Sequence, residues 1–256
     1  MNNVRDFWDK QAAMYGTSDK ATAPDSFYRE HEIACVMSEL RGSNRVLDVG
    51  CGNGYSTLKY AAAFPGSRFI GIDRSAPMIE AAEQAAGRAK ARNVEFLVED
   101  VLDFVQHDAF DTVISTRCMI NLADWDEQSR AIRWLSKVLG SSGRLVLVEN
   151  MREGLAELNR LRAAFDLPAI QERHHNCYLP IGKVRQILAD EFAGQRWRNI
   201  GGLYYLISRV VYAALAKQAG EQPQYDHPIN KIAAHLAGMN LECGDCSPNY
   251  MIVGER

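Results

Sequence analysis

The stretch VLDVGCGNG, residues 46–54, decides how this chain folds. It begins with the strand-forming residues Val46, Leu47 and Val49 and runs into three glycines spaced two apart, with an aspartate just ahead of them. Because glycine lacks a Cβ, such a turn lets the backbone lie close against a small molecule. The pattern therefore predicts a ligand-binding loop at the end of a strand.

The glycine spacing disfavours two common nucleotide-binding loops. A dinucleotide loop follows GxGxxG and needs its third glycine for close packing of helix on strand, but that position is Tyr55 here. No Lys followed by Ser or Thr stands after a glycine at the spacing of a P-loop. Binding of nicotinamide, flavin or a triphosphate is therefore not expected.

Strand-like and helix-like segments alternate at short spacing around the loop. The helix-like segments are residues 55–64, 76–92 and 126–139, and the apolar, β-branched strand-like segments are 45–50, 68–73, 94–100, 110–116 and 144–149. Such alternation predicts right-handed crossovers and a parallel sheet with helices on both faces. Ligands of such sheets bind beyond the carboxyl ends of the strands, which is where the glycines lie.

The pattern changes after residue 150. Helical segments bracket the run QERHHNCYLP at residues 171–180, and two further strand candidates follow at 194–202 and 249–255, separated by helical segments at 204–219 and 229–238. This tail is expected to belong to the same domain or to cap it. Its apolar helices could equally form an oligomer interface, such as that of a homodimer.

The stretch VLDVGCGNG, with Asp73 at the end of the second strand and Asp100 after the third, resembles the class I S-adenosylmethionine-dependent methyltransferases of small molecules. The resemblance covers roughly residues 30–150, and its specificity lies in motifs that follow successive strands in order. It implies S-adenosylmethionine as cofactor and S-adenosylhomocysteine as product.

Pattern and resemblance together predict an α/β, Rossmann-like, doubly wound fold. The expected sheet is seven-stranded and mostly parallel with helices on both faces, a helical N-terminal lid, and a helical insertion before the last strand. We expect residues 1–256 to form a single methyltransferase domain. Its parts are an N-terminal helical cap (1–40), a cofactor-binding core (41–150) and an acceptor-side helical and strand region (151–256).

The resemblance implies a role for each matching residue near the methionine and ribose of the cofactor. Asp48 would place negative charge near the ammonium group, and Asp73 would accept hydrogen bonds from both ribose hydroxyls. The loop would lay bare backbone along the methionine part. The loop residues expected there are Gly50, Cys51, Gly52 and Gly54.

Further residues are expected around the adenine and the sulfonium. Asp100 would face the adenine amino group with the Val101 amide beside the ring, although Asp100 could instead cap a turn. The ring edges would be lined by Arg74 and Met78, and Ser115 and Arg117 would lie near the reaction path. Arg117 would pair with the cofactor carboxylate or lie at the surface.

The polar run after the fifth strand predicts the acceptor side. His174 and His175 are the expected proton acceptors because the unperturbed histidine pKa lies near neutral pH, although a capping or surface role is equally open. In the lid-like FWDKQAAMYG, residues 7–16, Tyr15 would press on the methyl end, whereas core packing is favoured for Phe7 and Trp8. Further residues expected near this pocket are Glu149, Asn150, Arg152, Asn176 and Tyr178.

The composition of the chain limits which classes of binding partner are expected. The net charge of −3, from 29 Lys and Arg against 32 Asp and Glu, provides no global positive field, so nucleic acid is not an expected partner. The charged N-terminus fits neither a secretory signal nor a membrane span, and a cytoplasmic location is expected. Cys243 and Cys246 form a CxxC without a second pair, which predicts surface thiols over zinc, and no metal is expected at the adjacent histidines.

Two functions of different kinds follow from the sequence. The first is methyl transfer by direct displacement to oxygen or nitrogen of a small molecule or carrier-linked metabolite, such as a sugar, glycan or natural product. The aromatic tail, with Tyr204, Tyr205 and Tyr212, is consistent with such an acceptor. The second is a non-catalytic scaffold or regulatory subunit that keeps the cofactor pocket, because a fold alone does not establish activity.

Overall fold

The computed structural model describes residues 4–105, 109–239, 241 and 243–256. Residues 1–3 of the predicted N-terminal cap lie outside this range.

A seven-stranded sheet in the order β3-β2-β1-β4-β5-β7-β6 forms the centre of the molecule. β7 pairs antiparallel with β5 and β6, and the pairs among β1 to β5 are parallel. The strands are β1 (Arg45–Val49), β2 (Arg68–Asp73), β3 (Val94–Val98), β4 (Phe110–Thr116), β5 (Leu139–Asn150), β6 (Gly194–Asn199) and β7 (Asn249–Glu255).

Helices cover both faces of the sheet. They are α1 (Val4–Tyr15), α2 (Ser26–Glu39), α3 (Tyr55–Ala63), α4 (Ala76–Ala89), α5 (Trp125–Lys137), α6 (Arg152–Ala163), α7 (Ile181–Glu191), α8 (Gly202–Tyr205), α9 (Tyr212–Gln218) and α10 (Pro228–Gly238). A π-helical turn, Leu206–Val211, joins α8 to α9.

The alternation of side chains along β1 divides the core in two. Leu47 and Val49 pack in one apolar cluster with helix α5, whereas Val46 packs in a second cluster with Tyr60 of α3. A strand buried on both faces needs apolar residues at successive positions, as this stretch has. The predicted α/β fold, with its mixed seven-stranded sheet and helices on both sides, is confirmed.

The structure differs from the predicted elements at several ends. β5 begins at Leu139 rather than at residue 144, and α5 ends at Lys137 rather than at residue 139. β6 ends at Asn199 rather than at residue 202 because Gly202 already begins α8. β3 ends at Val98, and the predicted strand residues 99 and 100 lead into a turn, in which Asp100 accepts a hydrogen bond from the Leu102 amide.

Contacts at Asp25 and Tyr28 join the N-terminal cap to the insertion before β7. Asp25 accepts a hydrogen bond from the Tyr28 amide at 3.1 Å, which caps helix α2. The same carboxylate accepts from the Tyr204 hydroxyl at 2.7 Å and pairs with Arg209. The Tyr28 hydroxyl donates to Asn249 Oδ1 at 2.8 Å. These contacts position α2 and α8 against each other beside the carboxyl end of the sheet.

Candidate functional site

A cavity lies at the carboxyl ends of β1, β2 and β4, between the sheet and the N-terminal helices. Most residues that the sequence predicts for the cofactor line it, and His175 lines it as well. Those residues are Asp48, Gly50, Cys51, Gly52, Asp73, Arg74, Met78, Asp100, Val101 and Arg117. The sheet therefore brings together side chains that follow four successive strands, as the parallel order requires.

The glycine loop turns sharply after β1. Gly50 has a φ of +71°, a left-handed conformation that glycine adopts without a Cβ penalty. The Gly50 and Cys51 amides donate to the Ile72 carbonyl at 2.8 and 3.0 Å, which holds the turn against β2. A Cβ at Gly50 would lie 2.5 Å from Cys118 Sγ, so glycine also permits the close approach of the loop after β4.

Asp73 ends β2 beside this loop. Its Oδ2 accepts a hydrogen bond from the Gly52 amide at 2.9 Å, and its Oδ1 accepts from the Ser75 amide at 2.9 Å. Burial raises the pKa of Asp73, and these two backbone hydrogen bonds oppose the rise. Each carboxylate oxygen can accept a second hydrogen bond, so the group can bind two neighbouring hydroxyls from the cavity side.

Asp48 lies beneath the loop and is buried. Its carboxylate accepts a hydrogen bond from the Thr57 hydroxyl at 2.6 Å. Burial raises the pKa of Asp48 to about 6, against the opposing effect of that hydrogen bond. A carboxylate in this position can bind a cation such as an ammonium group at neutral pH.

Asp100 follows β3 and combines both roles considered for it. Its Oδ1 accepts a hydrogen bond from the Leu102 amide at 3.0 Å, and its Oδ2 lies 4.0 Å from Arg74 Nη1. It therefore caps a turn and lines the cavity at once. Val101 and the buried Met78 complete an apolar edge of the cavity.

Glu149, at the end of β5, holds the loop after β4. The buried carboxylate accepts hydrogen bonds from the Ser115 hydroxyl and from the Cys118 and Met119 amides at 2.9 to 3.0 Å. Burial raises its pKa to about 7 despite these bonds. Ser115 therefore binds Glu149 and does not line the cavity, contrary to its expected place near the reaction path.

Two other expected residues also lie outside the cavity lining. A Cβ on Gly54 would lie 2.7 Å from the Phe96 ring, so Gly54 serves packing between the loop and β3. Tyr15 is 38% exposed at the end of α1, which does not support the expected contact with a methyl group.

Arg117 is held inside the molecule and does not lie free at the surface. Its φ of +52° is left-handed, an uncommon conformation for a residue with a side chain. Its Nη2 lies 3.1 Å from Oε2 of Glu32, and Glu32 is 1% exposed. Helix α2 therefore contributes a buried carboxylate to the cavity wall.

The two histidines of the acceptor side differ. His175 is 8% exposed and lines the cavity, and the Phe7 ring stacks on it with centroids 4.0 Å apart. Burial lowers the pKa of His175 to about 4, so the ring is neutral at pH 7. His174 is exposed and lies outside the lining.

Some of the remaining acceptor-side expectations agree with the cavity lining and some do not. Asn150, Asn176 and Tyr178 line the cavity, whereas Glu149 and Arg152 do not. Arg152 donates to the Tyr178 carbonyl at 2.7 Å and so supports the wall from behind. Trp8, for which core packing was favoured, lines the cavity and donates from Nε1 to Asn121 Oδ1 at 3.2 Å.

Sequence reasoning missed Arg29, Glu32 and the cavity position of Tyr205. Arg29 lines the cavity, stacks 4.3 Å from the centroid of the Tyr55 ring, and has a pKa lowered to about 10 by burial. The available signal was the spacing of Arg29 and Glu32, three residues apart and therefore on one face of α2, the face that also carries apolar residues.

Among residues 4–105, 109–239, 241 and 243–256, no three His, Cys, Asp or Glu side chains converge as a metal site would require. The Sγ atoms of Cys243 and Cys246 lie 4.0 Å apart as free thiols. None of the helices in these ranges has the length and apolar character of a membrane span.

A glycine turn and a backbone-held aspartate at adjacent strand ends define a nucleoside-binding α/β domain. Residues 40–192 match the family model of a methyltransferase domain, so the chain belongs to that family. It is therefore a member of the class I S-adenosylmethionine-dependent methyltransferases, as the motifs predict.

Similar proteins act on different acceptor atoms. The chain is 25% identical over 129 residues to (S)-coclaurine N-methyltransferase of Thalictrum flavum subsp. glaucum, which covers 50% of this chain and 36% of the relative. It is 32% identical over 120 residues to O-methyltransferase rstn1 of Aspergillus nomiae, which covers 46% and 51%, respectively. The chain thus spans about half the length, or less, of these curated relatives.

The fold is shared over a greater length with solved structures. The N-methyltransferase NodS of Bradyrhizobium japonicum, crystallised with S-adenosylhomocysteine, superposes with a TM-score of 0.59 at 15% identity, covering 100% of this chain and 99% of that one. At this identity the likeness concerns the fold alone.

Proposed function

We propose that this protein transfers a methyl group from S-adenosylmethionine to an oxygen or nitrogen of a small molecule or carrier-linked metabolite. The observation that carries the proposal is the Asp73 carboxylate, held by two backbone amides at the cavity wall next to the left-handed glycine turn. Sugars, glycans and natural products are the acceptor classes that a polar, partly aromatic cavity suits.

In this proposal the cofactor occupies the β1 to β3 side of the cavity. Asp73 accepts hydrogen bonds from the ribose hydroxyls, and Asp48 pairs with the ammonium group. Asp100, Val101, Met78 and Arg74 surround the adenine. The bare backbone of residues 50–52 lies along the methionine part, where the positive charge of Arg29 or Arg117 complements the carboxylate.

The reaction is a direct displacement at the methyl carbon. The electron pair of the nucleophile forms the new bond to the methyl carbon while the carbon–sulfur bond breaks. The electron pair of the carbon–sulfur bond stays on sulfur, which gives S-adenosylhomocysteine. The protein's contribution is orientation and exclusion of water. Trp8, Tyr178 and Tyr205 supply large side chains that can enclose the acceptor.

The second candidate function is a scaffold that binds the cofactor without turnover. It would use the same pocket, so an experiment has to distinguish it from the enzyme. Calorimetry with S-adenosylhomocysteine tests the pocket, and release of labelled methyl groups onto candidate acceptors tests turnover. Binding with transfer supports the enzyme, whereas binding without transfer to any acceptor supports the scaffold. Absence of binding contradicts the cofactor assignment itself.

A further inference from the structure

The ion pair between Glu32 and Arg117 is an unusual feature of the cavity wall. The Glu32 side chain is 2% exposed and that of Arg117 is 28% exposed, and their closest atoms are 3.1 Å apart. Removing a carboxylate from water is unfavourable, and a partner charge offsets this penalty only with good geometry and further hydrogen bonds. Such a pair calls for a reason beyond stability.

Neither carboxylate oxygen of Glu32 accepts a hydrogen bond of good geometry from the described residues: Arg117 Nη2 lies 3.1 Å from Oε2, and the Asn249 side chain also approaches the carboxylate. Buried acceptors that leave hydrogen-bonding capacity unused are rare in folded proteins, because the lost interaction with water is not replaced. The left-handed backbone of Arg117 is a second departure from ordinary geometry, and such strain concentrates at functional positions. Both residues line the cavity, so both departures occur at the same wall.

The position of the pair favours the acceptor over the cofactor. Arg117 follows β4, the strand on the far side of β1 from the ribose-binding end of β2. Tyr205 from α8 and Tyr178 from the segment before α7 also line the cavity. Glu32 and Tyr205 raise the pKa of Arg117 against the effect of burial. Burial raises the pKa of Tyr178, and the charge of Arg117 opposes this rise. Arg29 stands one turn before Glu32 on α2, where it is available to the cofactor carboxylate.

A carboxylate beside a guanidinium discriminates among reacting groups. A carboxylate is attracted by Arg117 and repelled by Glu32. A neutral amine, the form that attacks a methyl group, has a single lone pair, and a hydrogen bond from Arg117 would occupy it. A hydroxyl can donate its hydrogen to Glu32 and accept a hydrogen bond from Arg117 at the same time, so it satisfies both partners. A site built to hydrogen-bond a hydroxyl rejects analogues that leave its buried polar groups unpaired.

We propose that Glu32 and Arg117 bind the reacting hydroxyl of the methyl acceptor, with Glu32 as its proton acceptor, so that the protein forms methyl ethers. This inference rests on the proposed methyl transfer. The hydroxyl proton passes to a Glu32 oxygen, and the oxygen attacks the methyl carbon as the carbon–sulfur bond breaks. Arg117 stabilises the negative charge that develops on oxygen, and Glu32 returns the proton to solvent after the ether leaves.

Two properties of the neighbouring groups agree with this assignment. Burial raises the pKa of Glu32, and the charges of Arg117 and Arg29 oppose the rise. His175, the titratable side chain predicted from sequence, has a pKa lowered to about 4 and is therefore a weak proton acceptor. Glu32 is assigned the role from its place at the cavity wall opposite Arg117.

The first test identifies the product class. The protein is incubated with S-adenosylmethionine carrying a trideuterated methyl group and a small-molecule extract of its natural host cells. We expect the main labelled product to be a methyl ether, which is non-basic and stable to alkali. A main product that is an N-methylamine or an alkali-labile methyl ester would overturn the inference while leaving the proposed methyl transfer intact.

The second test uses variants on the ether-forming substrate. Glu32→Gln should lower turnover by at least about 100-fold, as expected for loss of a proton acceptor, with Glu32→Asp partly restoring it. S-adenosylhomocysteine affinity, measured by calorimetry, should change less than threefold in both variants. Equal turnover of Glu32→Gln and the unchanged protein would contradict the inference.

The matched control is Glu39→Gln on the same helix. Glu39 pairs with Arg196 at 2.8 Å but does not line the cavity, so its loss reports the cost of breaking an ion pair of α2. We expect its turnover to stay within twofold. If S-adenosylhomocysteine binds and no labelled product forms with any extract, the enzymatic proposal fails, and the inference fails with it.

Discussion

The two halves of the cavity are built in different ways. The cofactor half is the β1 to β3 side, which we propose binds the cofactor, and the acceptor half is the side facing α1, α2 and α8, which we propose binds the acceptor. On the cofactor half, the key contact joins the Gly52 amide to Asp73, 21 positions apart in sequence, and the partners are largely backbone. On the acceptor half, Trp8 reaches Asn121 across 113 positions, and side chains from α1, α2, α8 and the segment before α7 converge. The cofactor half is built from residues that are near one another in sequence, whereas the acceptor half is assembled from distant segments of the chain.

This difference predicts two kinds of mutational response. Backbone turns tolerate no added side chain, so changes on the cofactor half should be large and should appear in cofactor affinity. Side chains on the acceptor half can be replaced without moving the sheet, so changes there should appear in turnover and leave S-adenosylhomocysteine affinity unchanged.

Gly50→Ala should lower S-adenosylhomocysteine affinity at least about 100-fold, or about 2.8 kcal/mol. The left-handed backbone disfavours alanine by about 1 to 2 kcal/mol, and the new methyl group would meet Cys118. Calorimetry measures the change. Gly66→Ala is the control, because a Cβ there meets no atom within 4 Å and its φ is not left-handed. Affinity within tenfold of the unchanged protein would contradict the close approach of this turn.

Asp73→Asn should weaken S-adenosylhomocysteine binding at least tenfold, about 1.4 kcal/mol, because one acceptor oxygen and the charge are lost. The matched control is Asp111→Asn. Asp111 also accepts hydrogen bonds from two backbone amides, at 2.7 and 2.9 Å, but it lies at the opposite end of the sheet. Equal loss of affinity in both variants would mean that Asp73 acts through stability and not through the ribose.

Acid should weaken cofactor binding through Asp48. Because burial raises its pKa to about 6, the carboxylate that pairs with the ammonium group is charged above that pH and neutral below it. S-adenosylhomocysteine affinity should therefore be constant from pH 8 to about 7 and fall about fivefold by pH 5, or about 1 kcal/mol. Asp48→Asn should flatten this profile. A slope that persists in the variant would assign the titration to another group.

His175→Gln should produce the smallest effect, a decrease in turnover of less than about fivefold with unchanged S-adenosylhomocysteine affinity. A group with a pKa near 4 contributes little as a proton acceptor at neutral pH, although it can still orient a donor. His174→Gln, outside the cavity lining, is its control. A decrease of 100-fold or more in His175→Gln alone would restore histidine as the base and count against Glu32.

The position of the cofactor half at the strand ends could be predicted from sequence because its determinants are short-range, whereas the roles of its residues stay predictions. Gly50, Gly52, Asp73 and Asp100 each follow a strand whose apolar run is visible in the sequence, and a parallel sheet brings such ends to one edge. The predictions for Ser115 and Gly54 did not find support. The Ser115 hydroxyl donates to the buried Glu149, and the Phe96 ring packs where a Cβ of residue 54 would lie. Sequence spacing cannot separate a residue that faces the ligand from its inward-facing neighbour.

The acceptor half was predicted only in part. His175, Asn176 and Tyr178 were found because they share one polar run, whereas Arg29 and Glu32 stand in an ordinary-looking amphipathic helix. A charged residue on a helix is usually solvated, and the local sign of burial is weak: Arg29 and Glu32 share a helix face with apolar residues. Its burial depends on α8 and on the loop after β4, which are distant in sequence.

Local patterns in the chain are enough to predict the sheet, the glycine turn and the acids at the ends of β2 and β3. Strand periodicity and glycine conformation act over a few residues, and chain order sets which strand ends meet. The folded arrangement was needed to show that Glu32 faces Arg117, that His175 is buried and neutral, and that Tyr15 lies outside the cavity lining. Those outcomes depend on desolvation and on contacts between distant segments, which no local pattern encodes.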